Sequence, residues 1–440
     1  MKILWVCNTM LPFAAEYLNM EATNKEGWIT GLAERLLCSG GKVQLAVACP
    51  VNGQNGKKWL IPGKSDRSSF VLYGFEEDTD HPEKYEDALA GELRGIIEDY
   101  EPDVVHCFGT EFPHTLALTK VCNTDKLLIG IQGVCRKLEE VYYADLPERV
   151  IKRVTFRDFL KKDSIRQQKD KYRKRSAAEA AALKGAKHVT GRTVLDKELA
   201  FECNKDIRYH FMNETLRSVF YEGAWNAEQC ERYSIFVSQG DYPLKGLHYV
   251  LKAMPLILER YPEAKVYVAG NPIVRPKNLM GALKISSYGK YIMEQLKQLH
   301  LEEKVVFLGK LSGSEMKERM LYSNVFVCAS AAENSPNSLG EAMLLGVPCV
   351  TALVGGVPSV FQDGVDGIAY PGYGAAEYED AQDRESAQAE KLADAVLAMW
   401  QDEAKMAAYG KNASEHARNT HDGQKNFDRL LDIYREIAGN

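Results

Sequence analysis

The sequence contains no C-x-x-C pair, although it holds ten cysteines, at positions 7, 38, 49, 107, 122, 135, 203, 230, 328 and 349. A zinc site needs thiols or imidazoles clustered at short spacing. The nine histidines do not supply such a cluster either, so no structural metal is expected. Several cysteines sit inside apolar stretches such as VVHCFG and VFVCAS, where they are expected to be reduced, small core side chains. A basic surplus is also missing, since the formal charge is −6 and the isoelectric point is near 6.0. A nucleic-acid-binding protein should show a basic domain or face, so nucleic acid is not an expected partner. No uninterrupted apolar run approaches the ~18 residues that mark a membrane span. The start MKILWVCNTMLPF has too short an apolar core for a secretory signal, and a cytoplasmic location is expected.

What remains is a chain of average globular composition, 45% hydrophobic and 26% charged. Its 440 residues exceed the size at which one hydrophobic core keeps growing, so two domains are expected. KILWVCN reads as a strand, followed by a long loop and the helical pattern WITGLAERLLCSG; VQLAVACP, PDVVHCFG and LLIGIQG read as further strands, with helices DALAGELRGIIEDY and FPHTLALTKVC between them. After a polar, irregular stretch at 205–232 the pattern restarts with SIFVSQG, KVYVAGN, KVVFLGK and VFVCAS as strands and helical segments between. Strands alternating with helices predict parallel sheets covered on both faces. The expected division is 1–215 and 216–415, with 416–440 forming a last amphipathic helix that has no place in the second sheet order and is expected to cross back to the first domain. Ligands of such sheets sit beyond the carboxyl ends of the strands. That directs attention to SQGDYPLKG, AGNPIVRPK, ASAAENSPNS and ALVGGVPS.

ENSPNSLGEAMLLGVPCV is the most informative segment. Glu333 and Glu341 have seven residues between them, and a helix is expected to begin near Ser338, after Pro336. Its unpaired N–H groups, from Leu339, Gly340 and Glu341, and its positive dipole end would bind phosphate. A carboxylate beside phosphate suits hydroxyl groups instead, as on ribose or a sugar. Ser338 to Glu341 also satisfies the pattern of a capping box, and Glu333 could be an ordinary exposed loop carboxylate. Lys245, in DYPLKG after the first strand of the second half, could reach a diphosphate and neutralise charge on a leaving group. A solvated surface lysine is the competing reading.

These elements together, in this order and followed by GGVPSVFQDGVDGIAY, resemble the retaining glycosyltransferases of the GT-B fold known as family 4. The resemblance covers nearly the whole second half and, more loosely, the first. It implies an α/β fold of two doubly wound, Rossmann-like domains facing a cleft. It implies that Glu341 binds ribose, that Glu333 lies by the donor sugar and that Lys245 contacts the pyrophosphate. Asn337, Ser338 and Leu339 would hold the sugar or its phosphates through their backbone, and Gly270 and Asn271 would line the cleft. Two positions depart from the family pattern. Gly240 stands where an arginine is common, with Arg275 or Arg192 as candidate substitutes. Gln132, in IGIQGV, stands where many members have a histidine that contacts the donor sugar. Glutamine can position substrate but cannot titrate near neutral pH. The front-face mechanism proposed for the family needs no titrating group there, because the leaving phosphate takes the acceptor proton, and no metal cofactor is implied.

In the first half, Gly27 stands near the family's glycine pair, where backbone can approach substrate, or simply at a helix entry. Thr110 and Glu111, just past a strand, are acceptor-side candidates together with Arg192; Glu111 could instead favour the dipole of the following helix. The basic stretch at 148–175 reads either as an amphipathic helix on an anionic membrane or as a solvated face. The resemblance therefore implies a retaining transferase that moves a hexose from a nucleotide-sugar, a UDP-sugar by expectation, to a glycan or lipid-linked acceptor in surface polysaccharide or glycolipid synthesis. A GT-B epimerase lacks evident acid/base carboxylates here, and a phosphorylase lacks a recognisable pyridoxal lysine. A non-catalytic nucleotide-sugar or glycan-binding partner subunit is the alternative from another class.

Overall fold

The computed structural model describes all residues except 21–26, 39–42, 54–55, 63–68, 275–278, 380–382 and 440. The chain forms two compact units: residues 1–136, 172–217 and 421–440 make the first, and 137–171 with 218–420 make the second.

The first unit is built on eight strands: β1 (Lys2–Val6), β2 (Gln44–Pro50), β3 (Lys58–Pro62), β4 (Ser69–Phe75), β5 (Val104–Phe108), β6 (Leu127–Gly130), β7 (His188–Gly191) and β8 (Arg208–Phe211). Their order is β3-β4-β2-β1-β5-β6-β7-β8. All neighbours are parallel except β3, which pairs antiparallel with β4 at one edge. β1 shows why the sheet is covered twice. Ile3 and Trp5 join the core on one face, while Leu4 and Val6 join the core on the other, as the two-residue side-chain period of a strand requires. The helix Gly423–Ala438 closes the first of these faces. Leu430 and Tyr434 are fully buried there, and the Tyr434 hydroxyl accepts a hydrogen bond from Trp5 Nε1 at 2.8 Å.

The second unit has six parallel strands: β9 (Glu231–Val237), β10 (Lys265–Ala269), β11 (Val305–Gly309), β12 (Ser323–Cys328), β13 (Cys349–Leu353) and β14 (Gly367–Pro371). Their order is β11-β10-β9-β12-β13-β14. β12 is buried along its whole length, as a central strand covered on both faces must be.

The contacts correct one boundary. Residues 137–171 were expected in the first domain, but they pack on the second unit. The reason is a set of polar anchors there. His248 Nε2 bonds the Ala144 carbonyl at 2.8 Å, Tyr249 donates to Asp145 at 2.9 Å, and Ser287 donates its N–H to Asp158 and its hydroxyl to the Val150 carbonyl, both at 2.9 Å. None of the described helices is long and apolar enough to cross a membrane.

Candidate functional site

In the second unit β9 and β12 are neighbours, and the strand order runs outward from them in opposite directions. A parallel sheet leaves a crevice at the carboxyl ends of such a pair. The loop after β9 ends at Gly246, whose φ is 70°. A Cβ there would lie 1.8 Å from the Ala329 carbonyl oxygen, in the loop after β12, so only glycine lets the two loops touch. The Ala331 N–H donates to the Leu244 carbonyl at 2.8 Å and ties them together. This contact sets Lys245 beside Glu333: Nζ and Oε1 are 2.5 Å apart, and Ser330 Oγ donates to the same oxygen at 2.7 Å. Burial works against the Lys245 charge, yet the Glu333 carboxylate holds its pKa above the ordinary lysine value.

Glu333 leads into the helix Asn337–Leu344. Its N-cap is Pro336, with no side-chain cap, and the Leu339 and Gly340 N–H groups donate to the Pro336 carbonyl at 3.0 and 3.2 Å. This corrects two expectations. The capping box does not form, because the N-cap is Pro336, two residues before Ser338, and Ser338 lies inside the first turn. The first-turn donors not spent on Pro336 are those of Asn337 and Ser338, with the helix dipole behind them. Leu339 and Glu341, further along the same helix, are buried, with Glu341 only 2% exposed.

Gly240 has a packing role. A Cβ would meet Val268 at 2.8 Å and Leu247 at 2.9 Å, so the arginine of the family pattern has no room there. Asn271 donates to Asp241 Oδ2 at 2.5 Å, while the buried Oδ1 of Asp241 has no hydrogen-bond partner among the described residues. Asp241 was missed by the sequence reading. Its signal was only its place in a strand-end loop. Arg275 lies outside the described residues.

In the first unit Gln132 and Arg192 come together past the ends of β6 and β7. Arg192 donates from Nη2 to Gln132 Oε1 at 3.3 Å and from Nη1 to the Ile131 carbonyl at 3.2 Å. It forms a buried ion pair with Glu214, 3.2 Å away, a partner no local pattern announced. These three line a pocket with His106, Thr190 and Thr215. Arg192 Nε, His106 Nε2 and both threonine hydroxyls are buried there without hydrogen-bond partners among the described residues, as expected of groups that meet water or ligand hydroxyls. Burial lowers the His106 pKa to about 3, so this ring is neutral.

Thr110 and Glu111 follow β5. Thr110 is buried and donates to Glu179 at 2.6 Å. Glu111 accepts the Gly133 N–H at 2.5 Å, and its carbonyl accepts from Arg175 at 3.0 Å. Glu179, which sequence reasoning also missed, has its pKa raised to about 7 by burial. Gly27 opens the helix Gly27–Leu37.

Residues 223–416, which hold every element of the site in the second unit, match the family described as Glycosyl transferases group 1. The chain's second unit carries a Glycosyl transferases group 1 domain, and its two-sheet architecture is the GT-B fold. The chain is 34% identical over 142 residues to an uncharacterised glycosyltransferase of Methanocaldococcus jannaschii, a match covering 32% of each chain. It is 40% identical over 76 residues to N-acetyl-alpha-D-glucosaminyl L-malate synthase of Bacillus anthracis, covering 17% of this chain and 19% of that one. The matches thus span about a third or less of these relatives' own length. Its fold resembles that of sucrose-phosphate synthase from Thermosynechococcus elongatus, with TM-score 0.70, 16% identity and 99% of each chain covered. It also resembles Anabaena HepE, solved in complex with UDP-glucose, with TM-score 0.63, 15% identity and 99% and 100% coverage.

Proposed function

We propose that this chain is a retaining glycosyltransferase that moves a hexose from a nucleotide-sugar, a UDP-sugar in the first instance, to a glycan or lipid-linked acceptor. The observation that carries the reading is the Lys245–Glu333 pair, 2.5 Å apart, beside the N-terminus of the helix that also bears Glu341. One cation and a helix start supply positive charge for a diphosphate, while the two carboxylates suit ribose and sugar hydroxyls, which donate hydrogen bonds to them. A carboxylate would repel a bare phosphate, so the set favours a sugar-bearing donor.

In this reading the acceptor hydroxyl attacks the anomeric carbon as the bond from that carbon to the β-phosphate oxygen breaks. The acceptor proton passes to the leaving phosphate. Lys245 stabilises the charge that builds on the diphosphate, so no metal is needed. Gln132 acts as a positioning amide, its carbonyl engaged by Arg192. Thr110, Glu111 and Arg192 are assigned to the acceptor side and Gly27 to close backbone approach. UDP-glucose in the HepE structure supports a uridine donor. We place the reaction in the cytoplasm, at the inner face of a membrane, in surface polysaccharide or glycolipid synthesis.

The test is release of nucleoside diphosphate from UDP-, GDP- and ADP-glucose with and without EDTA, supported by thermal shifts with the free nucleotides. Turnover of one donor that EDTA leaves intact and Glu341→Ala abolishes supports the reading. Binding of a nucleotide-sugar that is always recovered unchanged would transfer the assignment to a partner subunit.

A further inference from the structure

The structure changes what the basic stretch at 148–175 offers. Six of its twelve cations are paired with carboxylates. Arg149 and Arg153 meet Glu294 at 3.2 and 3.0 Å, Lys152 and Arg166 meet Glu148, Arg157 meets Asp158 and Asp163, and Lys169 meets Glu139. The long helix Ile165–Lys184 has the sequence IRQQKDKYRKRSAAEAAALK, with no continuous stripe of large apolar residues, so it is not a helix that lies in a bilayer surface. What stands out instead is the short segment before it.

Val154, Phe156, Phe159 and Leu160 are all exposed, Phe159 at 72% and Leu160 at 63%. These are consecutive large apolar groups on and beside the helix Phe156–Lys161. The helix Leu279–Lys284 packs beside it and adds exposed Met280 and Leu283. Exposed large hydrophobics scattered singly need no explanation, but a contiguous group does. The group is held firmly. Thr155 and Asp158 form a complete capping box, Lys162 closes the helix in the left-handed conformation, and the buried Asp158 also accepts the Ser287 N–H at 2.9 Å.

Charge identifies the occupant. Lys161, Lys162 and Lys284 are exposed at the rim. Between 149 and 163 the acidic residues are Asp158 and Asp163, and 279–290 contains none; Asp158 is buried, and both carboxylates are paired with Arg157. An apolar tip ringed by lysines, with its neighbouring carboxylates Asp158 and Asp163 held by Arg157, complements a bilayer whose headgroups are anionic. We propose that residues 154–162 together with Met280 and Leu283 form a membrane-insertion tip on the second unit, with Phe159 and Leu160 entering the acyl boundary and the three lysines meeting lipid phosphates. The tip stands on its own surface chemistry, whether or not the chain transfers a sugar.

The experiment is co-sedimentation of the full chain with phosphatidylcholine vesicles, with and without phosphatidylglycerol. It compares wild type, Phe159→Ser/Leu160→Ser and Lys161→Glu/Lys162→Glu, with sedimentation velocity on the same samples without vesicles. Wild type is expected to bind the phosphatidylglycerol vesicles, the apolar variant roughly a hundredfold more weakly and the charge variant roughly tenfold more weakly. Thermal unfolding and donor binding should be unchanged in both, since these side chains are exposed. Absence of wild-type binding, or equal binding by the apolar variant, would overturn the proposal. So would a wild-type dimer that the apolar variant converts to monomer without any change in vesicle binding, which would make the surface a contact between copies.

Discussion

Replacing Lys245 by alanine separates the site's structural work from its binding work. Glu333 would lose the ammonium 2.5 Å away while keeping the Ser330 hydroxyl as a partner. Removing one partner of a fully buried pair costs about 3–5 kcal/mol. Here the side chains retain 22% and 12% exposure, and solvent reaching them reduces the expected loss to about 1–3 kcal/mol. Adding Glu333→Gln removes the stranded charge, so the double variant should unfold at higher denaturant than Lys245→Ala alone. Binding should follow a different rule. A charge-assisted hydrogen bond contributes about 1.5–3 kcal/mol, which is roughly a tenfold to a hundredfold change in affinity. The loss should fall on the nucleoside diphosphate and spare the nucleoside, which has no phosphate for Lys245 to meet. Titration calorimetry of both ligands on each variant measures this. If nucleoside and diphosphate weaken equally, or the diphosphate binds Lys245→Ala as tightly as wild type, the assignment of Lys245 to phosphate is wrong.

Other predictions concern the scaffold around the site. Gly246→Ala should destabilise the second unit by about 3 kcal/mol or more, because left-handed strain adds to a clash with the Ala329 carbonyl; a denaturant midpoint equal to wild type would show that the two loops separate freely. Glu179 binds its proton more tightly in the folded chain, with a pKa of about 7, than an unfolded glutamate does. Its contribution is fully present below about pH 4.3 and is lost as pH rises through about 7. Wild type should therefore lose on the order of 3 kcal/mol relative to Glu179→Gln between these limits, and parallel stability curves for the two would refute the burial argument. Glu214→Ala should cost about 3–5 kcal/mol by stranding Arg192. Glu214→Ala/Arg192→Leu should recover part of that loss in urea unfolding.

The strands legible in the sequence were those whose apolar runs are long and closed by glycine or polar loops, such as β1, β5, β9 and β12. Such runs are required of strands buried on both faces, so their pattern is local and strong. β3, β4, β7, β8, β13 and β14 escaped notice: β3, β8 and β14 are sheet edges, where half-exposed residues carry no clear period, and β7 has only four residues. In the donor-side site, Lys245, Glu333, Asn337 and Glu341 could be singled out because strand-end loops carry ligands in parallel sheets and because their combination resembles a known family. Asp241 and Glu214 could not, since nothing local distinguishes a carboxylate whose partner comes from a distant loop.

The amino-acid sequence by itself determined that this is a two-sheet α/β chain with a donor-type motif in its second half, because alternation, glycine stops and helix starts are properties of neighbouring residues. Only the tertiary structure decided that residues 137–171 belong with the second unit, that the Ser338 capping box does not form, that position 240 has no room for a side chain, and that the basic stretch carries a rigid apolar tip. Each of those depends on which atoms meet across long separations in the chain, and packing, unlike periodicity, is not written in any one segment.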